Sequence, residues 1–157
     1  MDKLKIEYVD INTIKPYNNN PRDNSKAIEQ VAKSIKEFGF KVPIIIDENN
    51  IIVTGHTRYE ASKKLNLKEL PCVKATDLNE KQIKAFRLAD NKVSDYSIWD
   101  NKKLLIELED LNFDIFTGFE MSDLFEDIKV LDELDETNND ILDNNDEGIV
   151  YTISFKT

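Results

Sequence analysis

The segment that most constrains this chain is Gly55-His56-Thr57-Arg58-Tyr59-Glu60-Ala61, because it follows the apolar run Ile51-Ile52-Val53-Thr54 and opens a helical pattern. A strand that ends in glycine and turns directly into a helix leaves backbone N–H groups without intrahelical acceptors, and an anion is favoured there. Arg58 falls in the first turn with a fixed charge and a planar fork of donors suited to phosphate oxygens, and His56 and Thr57 add side-chain donors. Two readings stand on spacing alone. One is a phosphate site at Gly55; the other is an ordinary strand-to-helix turn with Arg58 in solvent.

With 157 residues, 40% of them hydrophobic, the chain can bury one core of ordinary domain size plus an appendage, and has no room for two large domains. No apolar run approaches the roughly 18 residues of a membrane span. The start, Met1-Asp2-Lys3-Leu4-Lys5, lacks the apolar core of a signal peptide, so a cytoplasmic protein without a membrane partner is expected. The single cysteine, Cys72, lies in the run Leu70-Pro71-Cys72-Val73 and reads as a small core residue rather than a reactive thiol.

The net charge of −10 conceals two different parts. Residues 1–103 carry 19 Lys+Arg against 15 Asp+Glu, while residues 104–157 carry 2 Lys against 16 Asp+Glu. A mildly basic body can hold a nucleotide or touch DNA; an acidic segment repels DNA and suits a basic protein partner, the body itself, or simply water.

Residues 6–11 alternate as a half-buried strand, and residues 14–22 form a turn-rich loop ending in Pro21-Arg22. Ile28, Val31, Ala32, Ile35 and Phe38 share one helical face, with Asn24 or Ser25 to cap its start and Gly39 to stop it. Residues 43–46 and 51–54 flank Asp47-Glu48-Asn49-Asn50 as a hairpin. The helix opened by Gly55 runs to about Leu65 with Asn66 as its cap, and residues 70–75 supply another strand. A further helix over 79–91 ends in Asp90-Asn91-Lys92, a grouping that can hold hydrated magnesium or a sugar hydroxyl and is equally ordinary helix-end punctuation. Trp99 before Asp100 fits a hydrophobic staple on a helix bearing Leu104, Leu105, Leu108 and Leu111. Ser122 can cap another helix bearing Leu124, Phe125, Ile128 and Leu131. The expected division is a body over 1–103, a helical acidic extension over 104–134, an acidic linker over 135–148 and a terminal strand over 149–157.

In this order, the loop ending in Pro21-Arg22, the amphipathic helix, the Pro43-led hairpin, the Gly55-x-x-Arg58-Tyr59-x-Ala61 helix and the helix ending in Asp90-Asn91 resemble the N-terminal domain of ParB partition proteins and the sulfiredoxin-like superfamily over residues 5–100. The resemblance implies an α/β (α+β) fold with a small mixed sheet and packed helices. It also implies binding of nucleotide phosphates by Arg22, Gly55, His56, Thr57 and Arg58, with magnesium at Asp90 and Asn91; the cofactor expected is CTP or ATP with Mg. His56 and Thr57 depart from the family's Glu-Arg pair, which leaves base identity and hydrolysis open, and no catalytic base is assigned. His56 also stands where sulfiredoxins place their cysteine, so sulfinic acid reduction is not expected.

Residues 94–100 and the later Leu-Asn-Phe-Asp and Thr-Gly-Phe segments resemble the phage and mobile-element branch. The expected role is therefore a nucleotide-binding domain in DNA transactions, as a nucleotide triphosphatase or phosphotransferase if it is an enzyme. A ParB-like nuclease and a non-enzymatic adaptor for a basic protein are the alternatives. Nucleotide, DNA, a basic protein and a second copy of the chain are the partners to be tested.

Overall fold

A computed structural model of the chain describes residues 3–111 and 115–120. Four strands, β1 (Ile6–Asp10), β2 (Ile44–Ile46), β3 (Ile52–Thr54) and β4 (Glu69–Lys74), form one sheet in the order β1-β4-β2-β3. β4 runs antiparallel to β1 and parallel to β2, and β2 runs antiparallel to β3, so the sheet is mixed. Among the described residues four helices accompany it: α1 (Ser25–Phe38), α2 (His56–Lys64), α3 (Glu80–Ser94) and α4 (Asn101–Asp110). The described residues up to Gly118 make one compact unit. The expected helix over 122–131, the linker and the terminal strand lie outside the described residues.

The core gathers on one face of the sheet, where Ile44, Ile46, Ile52, Leu70 and Cys72 are fully buried with Ile11, Ile14 and Tyr59. α1 packs on α2, α2 on β2, and α3 on β3. The α1 stripe of Ile28, Val31, Ala32 and Ile35 turns inward, while Phe38 at its end is 43% exposed. Gly39 stops the helix in a left-handed conformation, its N–H returning to Ile35 O at 2.9 Å. The hairpin forms as its turn chemistry dictates. The Asp47 carboxylate accepts the N–H groups of Asn49 and Ile51, and Asn50 takes φ 60°.

Three local expectations are corrected. β1 ends at Asp10, whose carboxylate accepts the Asn12 N–H and starts a turn of 3-10 helix (Ile11–Thr13) in place of further strand. α3 begins at the expected Asn79, which forms a reciprocal capping box with Gln82, but it continues past Asn91 to Ser94. Asp90 and Asn91 are therefore helix-interior residues, since neither Lys92 nor Val93 interrupts the helical ladder. Trp99 is 68% exposed, which argues against the staple; α4 is started by the Asp100 side chain accepting the Lys103 N–H.

Candidate functional site

β3 passes into α2 through Gly55 alone, and that economy sets the geometry of the site. Gly55 has φ 100°, and a Cβ there would stand 3.1 Å from Arg58 Nη2 and 3.3 Å from Ile44 Cγ1. A side chain there is strained by the backbone conformation and crowded by these two neighbours. No side chain caps α2, and its first internal bond runs from the Tyr59 N–H to Gly55 O. The amides of His56, Thr57 and Arg58 consequently have no partner among the described residues, which is the arrangement an anion satisfies.

Arg58 folds back beneath this turn. Its Nη2 donates to Pro43 O at 3.4 Å, whereas its Nε is buried with no hydrogen-bond partner among the described residues. Burial pushes the guanidinium below its ordinary pKa, and the Asp90 charge opposes that shift. It stays charged, because arginine does not deprotonate in proteins. A buried charged donor without an acceptor costs free energy in the unliganded protein.

His56 is held from the opposite wall. Its Nε2 accepts the Tyr17 backbone N–H at 3.2 Å, so the neutral ring carries its proton on Nδ1. Desolvation, and next the nearby Arg87 charge, lower its pKa, with Glu60 acting in the other direction. His56 is thereby kept as a neutral donor, its Nδ1–H without a partner among the described residues.

Arg22 reaches in from the 14–24 loop, donating from Nη1 to both the backbone O and Oδ1 of Asn91 at 3.3 Å, with Asp95 3.9 Å away. Asn91 in turn donates from Nδ2 to Arg87 O at 2.8 Å. One cavity of about 290 Å³ is lined by Arg22, Gly55, His56, Thr57, Arg58, Asp90 and Asn91, together with Asn20, Asn24 and Thr54. The residues expected to hold phosphate and magnesium, Arg22, Gly55, His56, Thr57, Arg58, Asp90 and Asn91, thus all line a single cavity. Among the described residues no cluster of three or more His, Cys, Asp or Glu could hold a metal by itself. Asp90 is the one carboxylate in that lining. Such a wall fits magnesium carried in on phosphate oxygens, which commonly takes only one or two protein carboxylates.

Tyr17 and Arg87 were not singled out by the sequence. The Arg87 guanidinium lies 3.9 Å from the Tyr17 ring centroid, its Nε donates to Ile52 O at 3.2 Å, and the residue is 8% exposed. The available signal was an arginine four positions after Ile83, on the helical face where an apolar residue is expected.

Residues 1–92 match the family described as the ParB N-terminal domain. The chain is 35% identical over 82 residues to the ParB-like nuclease domain-containing protein YnaK of Escherichia coli (strain K12), covering 52% of this chain and 94% of that protein. It is 35% identical over 95 residues to the probable chromosome-partitioning protein ParB of Campylobacter jejuni, covering 57% of this chain but 34% of that one. Among solved structures, the C-terminally truncated ParB of Caulobacter crescentus complexed with CTP-gamma-S superposes with a TM-score of 0.58 at 18% identity, covering 67% of this chain and 61% of that chain. That likeness establishes the fold. Among the described residues no helix is long and apolar enough to cross a membrane.

Proposed function

The chain belongs to the ParB N-terminal domain family, and from that membership we propose that its cavity binds the phosphates of a nucleoside triphosphate, in the service of phage or mobile-element DNA transactions. The observation that supports this most is the set of three amides at the start of α2, unpartnered among the described residues, in a wall of the cavity that the positive Arg58 also lines. A phosphate group supplies acceptors to the amides, and Arg58, which lines the same cavity, supplies positive charge. The ligand in the Caulobacter ParB complex, CTP-gamma-S, names the chemistry to try first. At about 290 Å³ the cavity lies at the small end of ligand pockets, a size suited to a phosphate chain with the base directed outward.

In this reading the amides of His56, Thr57 and Arg58 cradle the phosphates, Arg58 neutralises their charge, and the His56 Nδ1–H donates from the side. Arg22 exchanges its contacts with Asn91 and Asp95 for phosphate oxygens and draws the 14–24 loop over the ligand. Asp90 and Asn91 would hold magnesium, which would neutralise charge between phosphate oxygens. His56 acts as a donor, because its free nitrogen already bears the proton and its basic one accepts from Tyr17.

The test is isothermal titration of the full chain with CTP, ATP and GTP, with and without magnesium. Saturable binding of at least one of them supports the proposal, and absence of heat with all three defeats it. A nuclease would need a carboxylate cluster for its metal, so magnesium-dependent cleavage of plasmid DNA is the contrary result to look for. Salt-sensitive capture of a basic protein, without nucleotide binding, would favour the adaptor.

A further inference from the structure

Arg87 is nine-tenths buried on α3, and it faces a tyrosine ring and a backbone carbonyl. No carboxylate pairs with it among the described residues. Its nearest engagements, Tyr17 and Ile52 O, belong to two segments that form the walls behind His56. The stacked guanidinium pins the Tyr17 ring, and the backbone N–H of that same tyrosine is the group bonded to His56 Nε2. The Arg87 carbonyl meanwhile orients the Asn91 amide, which receives Arg22. One buried side chain and its own backbone therefore connect both arms of the cavity.

We infer that Arg87 is a positioning residue of the phosphate site: by clamping Tyr17 against α3 it fixes the Tyr17 N–H on His56 Nε2 and so holds His56 as the Nδ1–H tautomer that donates into the cavity. This rests on the nucleotide reading only for the identity of the ligand. A neutral imidazole in solution samples both tautomers, and a single backbone donor on Nε2 selects one. The charge of Arg87 adds to the effect, since a cation behind the ring disfavours a second proton on it. The other charged groups around His56 are Glu60 on its own helix, Arg22 and Asp23 on the loop, and Arg58 and Asp90 across the cavity. None of these stacks on Tyr17.

The chain has one histidine, so its imidazole nitrogens can be followed without ambiguity by long-range proton–nitrogen NMR in the full chain. The native protein is expected to show a single tautomer, protonated on Nδ1. Arg87→Met, which keeps length and apolar packing, should give a mixture of tautomers and a raised His56 pKa. Arg87→Lys, which keeps charge without the flat stack, should give the mixture while the pKa stays low. Tyr17→Leu keeps the backbone amide and removes only the ring, at a loop position that is not buried, so it carries the test if Arg87→Met perturbs folding. CTP affinity should fall by about tenfold in Arg87→Met, the size of one misplaced neutral donor. A single Nδ1–H tautomer persisting in a folded Arg87→Met or Tyr17→Leu chain overturns the inference. So does a lost tautomer with unchanged CTP affinity. Loss of the tautomer in a protein whose native form binds no nucleotide upholds the clamp and defeats the nucleotide reading instead.

Discussion

Replacing Arg58 by methionine separates the two things an arginine at this place can do. In the unliganded protein the guanidinium has one long bond, 3.4 Å to Pro43 O, and a buried Nε with no partner. A neutral hydrogen bond of good geometry contributes about 0.5–1.5 kcal/mol, so a long one contributes the lower end, whereas an unsatisfied buried donor costs about 1–3 kcal/mol. Methionine forfeits the first and relieves the second, while its length fills the space beside Gly55 and Ile44. The unliganded fold should therefore be more stable, by roughly 0.5–2.5 kcal/mol in urea denaturation. Binding should change far more. Losing a charge-assisted bond to phosphate removes about 1.5–3 kcal/mol, which lowers affinity roughly 10- to 150-fold. Titration with CTP and magnesium measures the loss directly. Unchanged affinity would remove Arg58 from the site, and a fold weakened by more than about 2 kcal/mol would show the buried guanidinium to be stabilising.

Four further expectations follow from the same geometry. Gly55→Ala places a Cβ at φ 100° within 3.1 Å of Arg58 Nη2, so it should cost about 1–3 kcal/mol in denaturation and displace the arginine; a stability equal to the native chain would contradict the strain. Changing Asp90 and Asn91 together to alanine should abolish any magnesium dependence of nucleotide binding while leaving some metal-free affinity, and a full magnesium effect in that variant would put the ion elsewhere. The depressed pKa of His56 means that the unfolded chain binds its proton more readily. The stability this confers is present above the ordinary histidine pKa of about 6.5 and is lost as pH falls below it, so melting between pH 7 and 5.5 should show a fall that His56→Gln reduces. Cys72 is fully buried and burial raises its thiol to about 11, so a thiol reagent at pH 8 should leave it unmodified until the protein is unfolded; rapid native labelling would refute that environment.

The readings that held in the sequence are those encoded within a few residues of one another. Gly55 between a β-branched run and a helical pattern, the Asp47 turn, the stop at Gly39 and the capping residue Asn79 each report a local backbone state, because the side chain that marks the state also stabilises it. The period of α1 likewise reports which residues turn inward. The end of α3 did not follow from such marks: Asp90-Asn91 looks like helix termination, yet helical bonding runs on to Ser94 because asparagine and aspartate only disfavour an interior position and do not forbid it. Only the tertiary fold decides the rest. The insertion of β4 between β1 and β2 joins strands distant in sequence, and no periodicity within one strand names its neighbours. The family resemblance implied phosphate binding for Arg22 and magnesium for Asn91, but that the two meet across 69 residues, with Asn91 anchored to Arg87 O, is a product of packing. The stack of Arg87 on Tyr17 had no local signature beyond a cation at an apolar position. A charge becomes informative about its partner only after the chain has closed around it, since burial sets both the cost of the charge and the small set of groups near enough to offset it.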